Sequence, residues 1–232
     1  MLKGFLNLLL PRVCLLCSGI VEGEGLCEKC LDSIRLIKSP RCRCCGMPFI
    51  SQEAEDHLCG TCIKKRRPFS IARSIGIYEG VLLEAVQRLK YNGKTSLARP
   101  LAKLMTKEFS MNNYNLIVPV PLHKTRLKER GFNQSLLLAR ELSKLYNLPI
   151  DYLNLRKIRA TDPQVNLKGK ERIENMKGAF AVKNGAGFKN KKILLIDDVY
   201  TTGATVTECS KVLKKAGAKT IDVLTLARVV NM

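Results

Sequence analysis

I-L-L-I-D-D-V-Y-T-T-G-A-T, residues 193–205, changes character twice within its length. Ile193, Leu194, Leu195 and Ile196 are consecutive apolar residues, too short a run for a helix. They predict a strand buried on both faces inside a parallel sheet. Asp197 and Asp198 stand at its carboxyl end. Thr201, Thr202, Gly203, Ala204 and Thr205 then make a small hydroxyl-rich loop, and a helical pattern follows through Val206, Cys209, Val212 and Leu213 until Gly217 closes it. Strand, loop and helix in this order bring free backbone N–H groups and the positive end of a helix dipole to a strand's end. That is where open α/β sheets bind anions.

Gly203 lets the backbone close around a phosphate, and three threonine hydroxyls add donors. The two carboxylates just upstream would repel that phosphate unless something cationic or hydrogen-bonding lay between. A sugar's vicinal hydroxyls and Mg²⁺ meet this need, and one ligand carries all these groups in order: a 5-phosphoribosyl group with a magnesium-bound pyrophosphate. At these residues the chain resembles the type I phosphoribosyltransferases, whose signature joins apolar positions, an acidic pair and a Thr/Gly phosphate loop. Tyr200 departs from it by placing an aromatic ring at a usually aliphatic position. The resemblance implies that Asp197 and Asp198 are the catalytic pair, on the ribose hydroxyls and Mg²⁺, and that Thr201–Thr205 hold the 5-phosphate.

The cysteines come in four Cys-x2-Cys knuckles: Cys14 with Cys17, Cys27 with Cys30, Cys42 with Cys45, and Cys59 with Cys62. Each knuckle presents two thiolates on one turn, so two knuckles complete a tetrahedral zinc site, and two structural Zn²⁺ are expected. Sequential and interleaved pairings both satisfy the spacing, with the sequential one favoured. Cys44 could substitute for Cys45 and His57 for Cys59, but a surplus thiol and a surface histidine are the favoured readings. The region has too few apolar side chains for a core of its own, so loss of metal is expected to unfold residues 12–64 while the rest stays folded.

The 232 residues carry a net charge of +20. Residues 1–68 hold eleven Lys and Arg against seven Asp and Glu, and residues 69–232 hold twenty-nine against thirteen. Thiolates and zinc together cancel the first excess, so the basic surplus lies on the second region and favours polyanionic partners. The apolar start is interrupted by Gly4 and Asn7 and lacks a small-residue cleavage site. No later stretch approaches the ~20 apolar residues of a membrane span. A cytoplasmic protein without membrane insertion is expected, its cysteines reduced or metal-bound.

Lys64–Arg67 reads as an exposed basic linker, which places the zinc-ribbon module at 1–68 and an α/β domain at 69–232. Residues 75–80 suggest a strand, 81–90 a helix, and Leu116–Val120 a second buried strand. The segment 123–134 reads as a basic loop ahead of an amphipathic helix through Leu136, Leu137, Leu142 and Leu145. In a phosphoribosyltransferase the pyrophosphate loop falls near there, which nominates Arg126 and Arg130 for the pyrophosphate. Residues 156–180 read as a long irregular loop between strands near Tyr152 and Phe180.

Taken together, the knuckles, L-K-Y-N-G at 89–93, R-G-F-N-Q at 130–134, the spaced Thr161, Gln164, Leu167, Arg172, Asn175 and Gly178-Ala179-Phe180, and D-D-V-Y-T-T-G-A-T resemble the ComF family over nearly the whole chain. The resemblance implies a twisted, mainly parallel sheet flanked by helices, a small hood and an N-terminal zinc module. It also implies phosphoribosyl pyrophosphate as ligand and a role in natural competence, handling single-stranded DNA on the cytoplasmic side with other competence proteins. An active transferase with an unidentified acceptor, unrelated to DNA uptake, is the alternative. Acceptor, catalysis and oligomeric state are not legible in the residues.

Overall fold

The computed structural model describes residues 12–21, 25–50, 55–107, 109–110, 113–161 and 169–230. In chain order the elements are α1 (Glu28–Asp32), α2 (Gly60–Lys64), β1 (Ala72–Ile77), α3 (Gly80–Tyr91), α4 (Ala98–Lys107), β2 (Leu116–Pro119), α5 (Lys124–Arg130), α6 (Gln134–Tyr146), β3 (Leu155–Lys157), α7 (Gly169–Met176), β4 (Phe180–Val182), β5 (Lys192–Tyr200), α8 (Ala204–Lys215) and β6 (Thr220–Arg228). The main sheet runs β1-β6-β5-β2, every neighbouring pair parallel. The hood is the antiparallel pair β3-β4.

The apolar run predicted as a doubly buried strand is the middle of this sheet. Leu194 and Ile196, with Leu224 and Leu226, pack among Leu82, Val86, Leu101, Leu138 and Leu142 of α3, α4 and α6. Ile193 and Leu195, with Ile221 and Val223, pack on the opposite face among Val206, Leu213, Phe180 and Phe188. The strand continues through both aspartates to Tyr200, because β6 offers partners as far as Arg228.

The cysteine-rich region straddles the sheet. Cys14, Leu16, Cys30 and Ile34 join the first core, whereas Cys42, Cys45, Cys62 and Phe69 join the second. Between them Leu36 bridges to Gly76, with Ile37 N–H donating to the Ile75 carbonyl and Ile77 N–H to the Arg35 carbonyl, both at 2.9 Å. The module thus covers the free edge of β1, which would otherwise offer unpaired backbone groups. Its side chains are part of both cores.

Three local expectations change. The segment 123–134 is mostly helix: His123 Nδ1 accepts from Thr125 N–H at 3.4 Å as N-cap, and Gly131 at φ 79° ends α5. Tyr152 is exposed and precedes its strand, which starts at Leu155. Part of the supposed irregular loop is α7, while Gln164 and Leu167 lie outside the described residues.

Gly46 tests the docking of the module. Its φ is +71°, and a Cβ there would stand 2.5 Å from the Ala72 carbonyl oxygen on β1. Gly93 has a similar φ of +64° with nothing near. Gly46→Ala is expected to cost clearly more in urea unfolding than Gly93→Ala, for which only the left-handed backbone penalty of about 1–2 kcal/mol applies. Equal losses would show that the module does not rest on β1.

Candidate ligand-binding cleft and zinc centres

At the carboxyl ends of the parallel strands lies a cleft of about 410 Å³. Both aspartates of β5 reach it, nearly buried. Asp197 Oδ1 accepts from Ser135 Oγ of α6 and from the Asp198 N–H, each at 3.0 Å. Asp198 Oδ2 pairs with Lys90 Nζ of α3 at 2.8 Å. Burial, and then the charge of Asp198, push the Asp197 carboxyl up to about 7. Burial opposes the charge on Lys90, yet Asp198 beside it holds the ammonium above its ordinary pKa.

The hydroxyl-rich loop follows directly. Gly203 at φ 75° is the N-cap residue of α8, so the helix opens on a glycine whose backbone faces little steric limit. Thr201 and Thr205 line the cleft. Thr202 does not; its Oγ accepts from Ala204 N–H at 3.3 Å and shapes the turn. Gly203 and Ala204 are buried at the helix start.

Arg126 and Arg130 reach the same cleft from α5, across from the acidic pair. Arg130 donates to Gln134 Oε1 at 2.7 Å and its guanidinium carbon stands 5.1 Å from the Tyr91 ring centre. Arg126 makes a loose, partly exposed pairing with Glu129 at 3.6 Å. Sequence reading missed the hood's share of the wall: Lys157, Thr161, Met176 and Phe180. Lys157 Nζ donates to Thr161 Oγ1 at 2.6 Å and lies 5.7 Å from the Phe180 ring, where burial lowers its pKa. It also missed Lys90, whose only signal was its place in L-K-Y-N-G.

The knuckles pair sequentially. The Sγ atoms of Cys14, Cys17, Cys27 and Cys30 lie within 4.8 Å of one another, as do those of Cys42, Cys45, Cys59 and Cys62. Individual Sγ–Sγ distances of 3.5–3.8 Å suit the edge of a zinc tetrahedron with ~2.3 Å bonds. Burial opposes ionisation at Cys14 and Cys42, yet backbone N–H donors bring both thiols down to about 6, while burial pushes Cys30, Cys45 and Cys62 up. By donor type and spacing the sets fit structural zinc. Cys44 stays outside, its carbonyl taking the Ala72 N–H at 2.7 Å, and His57 stacks on Phe49 at 3.9 Å.

Residues 5–63 match the double zinc ribbon domain family and residues 133–230 the phosphoribosyl transferase domain family. Competence protein F of Haemophilus influenzae is 32% identical over 225 residues, covering 93% of this chain and 96% of that protein. The chain belongs to the ComF family. The DNA utilization protein YhgH of Salmonella typhimurium is 32% identical over 230 residues (95% of this chain, 99% of the other), and competence protein ComFC of Bacillus subtilis 28% over 239 (93% and 95%). Among solved structures, the glutamine phosphoribosylpyrophosphate amidotransferase of B. subtilis is 19% identical with a TM-score of 0.38. It matches 55% of the ComF chain, which spans about a quarter (26%) of that enzyme's length. Adenine phosphoribosyltransferase of Leishmania tarentolae is 12% identical with the same TM-score, over 59% of this chain and 73% of that one. No helix among the described residues is long and apolar enough to cross a membrane.

The buried carboxyl has a pH signature. Folded Asp197 keeps its proton up to about 7, whereas an unfolded aspartate loses it near ~3.9. Between these values the native state binds more protons, so its contribution to stability falls as pH rises. Asp197→Asn keeps the Oδ1 acceptor and has no such dependence. In urea unfolding its stability relative to wild type is expected to rise from pH 4 to pH 7; a flat difference would contradict the buried, proton-holding carboxyl.

Proposed function

We propose that this ComF chain binds 5-phosphoribosyl pyrophosphate with Mg²⁺ in the cleft and acts in natural competence, handling single-stranded DNA on the cytoplasmic side together with competence-machinery proteins. The observation that carries the ligand is convergence: an acidic pair, a hydroxyl loop at a helix N-terminus and two arginines, from separate elements, wall one cleft. In this reading Thr201–Thr205 and the first N–H groups of α8 take the 5-phosphate. Asp197 and Asp198 accept from the ribose hydroxyls, and Arg126 and Arg130 hold the pyrophosphate. Magnesium, when bound, supplies charge to the pyrophosphate. Lys90 also lines the adjoining basic hollow with Arg126 and Arg130, so it stands between the carboxylates and the pyrophosphate.

The apolar hood wall of Met176 and Phe180 supports the second reading, an active phosphoribosyltransferase, because it offers a flank for a flat acceptor. Catalysis there would come from positioned charge: carboxylates beside the sugar as it gains oxocarbenium character, and arginines on the departing pyrophosphate.

Calorimetry with phosphoribosyl pyrophosphate tests the ligand. Binding is expected to need Mg²⁺ and to vanish in the folded Asp197→Asn/Asp198→Asn protein, while Lys90→Met weakens it roughly tenfold or more, the range of one lost charge-assisted hydrogen bond. Equal affinity in the double variant would show that the cleft is misread.

For DNA, the names of the relatives and the basic surplus point the same way, and part of that surplus gathers at one pole of the sheet. Lys189, Lys191, Lys192, Lys214, Lys215 and Lys219 are all exposed at the amino ends of β5 and β6 and the end of α8. The backbone joins them there, with Lys219 N–H donating to the Lys191 carbonyl and Asn190 N–H to the Gly217 carbonyl, both at 2.9 Å. This pole lies a strand's length, about 25 Å, from the cleft, so both ligands fit at once. Arg156 is exposed, but Arg159 donates to the Asn175 and Lys177 carbonyls at the end of α7 and Lys157 lines the cleft. Alanine at Lys189, Lys191, Lys192 and Lys219 is expected to weaken single-stranded DNA of any sequence and to reduce the log–log salt slope by about 0.7 for each phosphate no longer neutralised. Gel shifts showing no wild-type binding at low salt would remove the DNA reading.

A further inference from the structure

Tyr200 and Arg228 are register partners at the carboxyl ends of β5 and β6, and both are buried. The Arg228 guanidinium carbon stands 4.3 Å from the Tyr200 ring centre. The same guanidinium donates to the Cys45 carbonyl at 2.7 Å, and its Nη2 lies 3.8 Å from the Cys45 Sγ. Four thiolates around one Zn²⁺ carry a net −2, and a buried anion requires a desolvated partner. Arg228 supplies one such charge; Arg67, partly buried beside Cys62, supplies another.

Tyr200 also packs directly against Gly203 of the phosphate loop. A Cβ at Gly203 would collide with the Tyr200 hydroxyl and ring. That hydroxyl has no hydrogen-bond partner among the described residues, so the ring is held by its packing on Arg228 and not by its polar end. A tyrosine at this usually aliphatic position thereby links the loop to the second zinc centre.

We propose that Arg228 and Tyr200 are positioning residues that couple this centre to the phosphate loop, so that zinc at Cys42, Cys45, Cys59 and Cys62 and a phosphate ester at Thr201–Thr205 strengthen each other's binding. The charge of the loaded centre fixes the guanidinium, the guanidinium fixes the ring, and the ring sets the height of Gly203. Coupling between two binding sites is reciprocal. The proposal rests on Thr201–Thr205 being the phosphate loop, and the first centre, packed in the opposite core, serves as internal control.

The test uses the full-length zinc-loaded protein in equilibrium competition with a chromophoric chelator, with and without ribose 5-phosphate, alongside calorimetric affinity for that ligand. In wild type the ligand is expected to raise the affinity of one of the two zinc ions roughly fivefold or more. Tyr200→Leu should keep both ions, lose this linkage and bind ribose 5-phosphate more weakly by a similar factor. Arg228→Met should do the same and also loosen the second zinc; Arg228→Lys, which keeps the charge without the planar fork, should recover part of both. If Arg228→Met fails to fold, Tyr200→Leu carries the test. Ligand binding that leaves both zinc affinities unchanged, or full affinity in Tyr200→Leu with the linkage intact, overturns the coupling alone. A wild type that binds neither ribose 5-phosphate nor phosphoribosyl pyrophosphate overturns the reading of the cleft, and the coupling with it.

Discussion

Two adjacent carboxylates lie in a strand that is buried on both faces, and most of the architecture around the cleft answers that constraint. Desolvation penalises charge on groups buried this way. Lys90 compensates Asp198 from α3, Ser135 compensates Asp197 from α6, and the Asp198 N–H turns back onto Asp197. Both helices must therefore sit on the same core face, over Leu194 and Ile196. The pair is held as a compensated cluster.

The zinc module follows from a second constraint, the open edge of β1. A parallel sheet of four strands has two edges. Here one is covered by the segment around Leu36 and the other is extended by the bridge of Ile117 with Ile150. Placing one four-cysteine cluster in each core makes the metal centres part of the same packing that holds the sheet. Cys45, Arg228, Tyr200 and Gly203 touch in turn, from the second cluster to the loop before α8.

Much of this was legible in the residues. The run Ile193–Ile196 announced a doubly buried strand because nothing polar interrupts it, and the knuckle spacing announced two zinc centres. The strand's extension through Asp197, Asp198 and Val199 was hidden, since only pairing with β6 makes that polar stretch a strand. Helix α5 was hidden because K-T-R-L-K-E-R carries a single apolar residue, Leu127, itself exposed; capping by His123 and Gly131 makes the helix. Lys90 read as one polar position on an amphipathic helix, and its partner lies far away in the chain. The hood wall was dispersed over Lys157, Thr161, Met176 and Phe180, which only the fold brings together.

The most direct measurement is a crystal structure of the full chain with phosphoribosyl pyrophosphate and Mg²⁺. The 5-phosphate is expected on Thr201–Thr205, the ribose hydroxyls on Asp197 and Asp198, and Lys90 drawn from Asp198 toward the pyrophosphate. Ligand density elsewhere, with the Lys90–Asp198 pair intact and the threonine loop empty, would contradict this reading of the cleft.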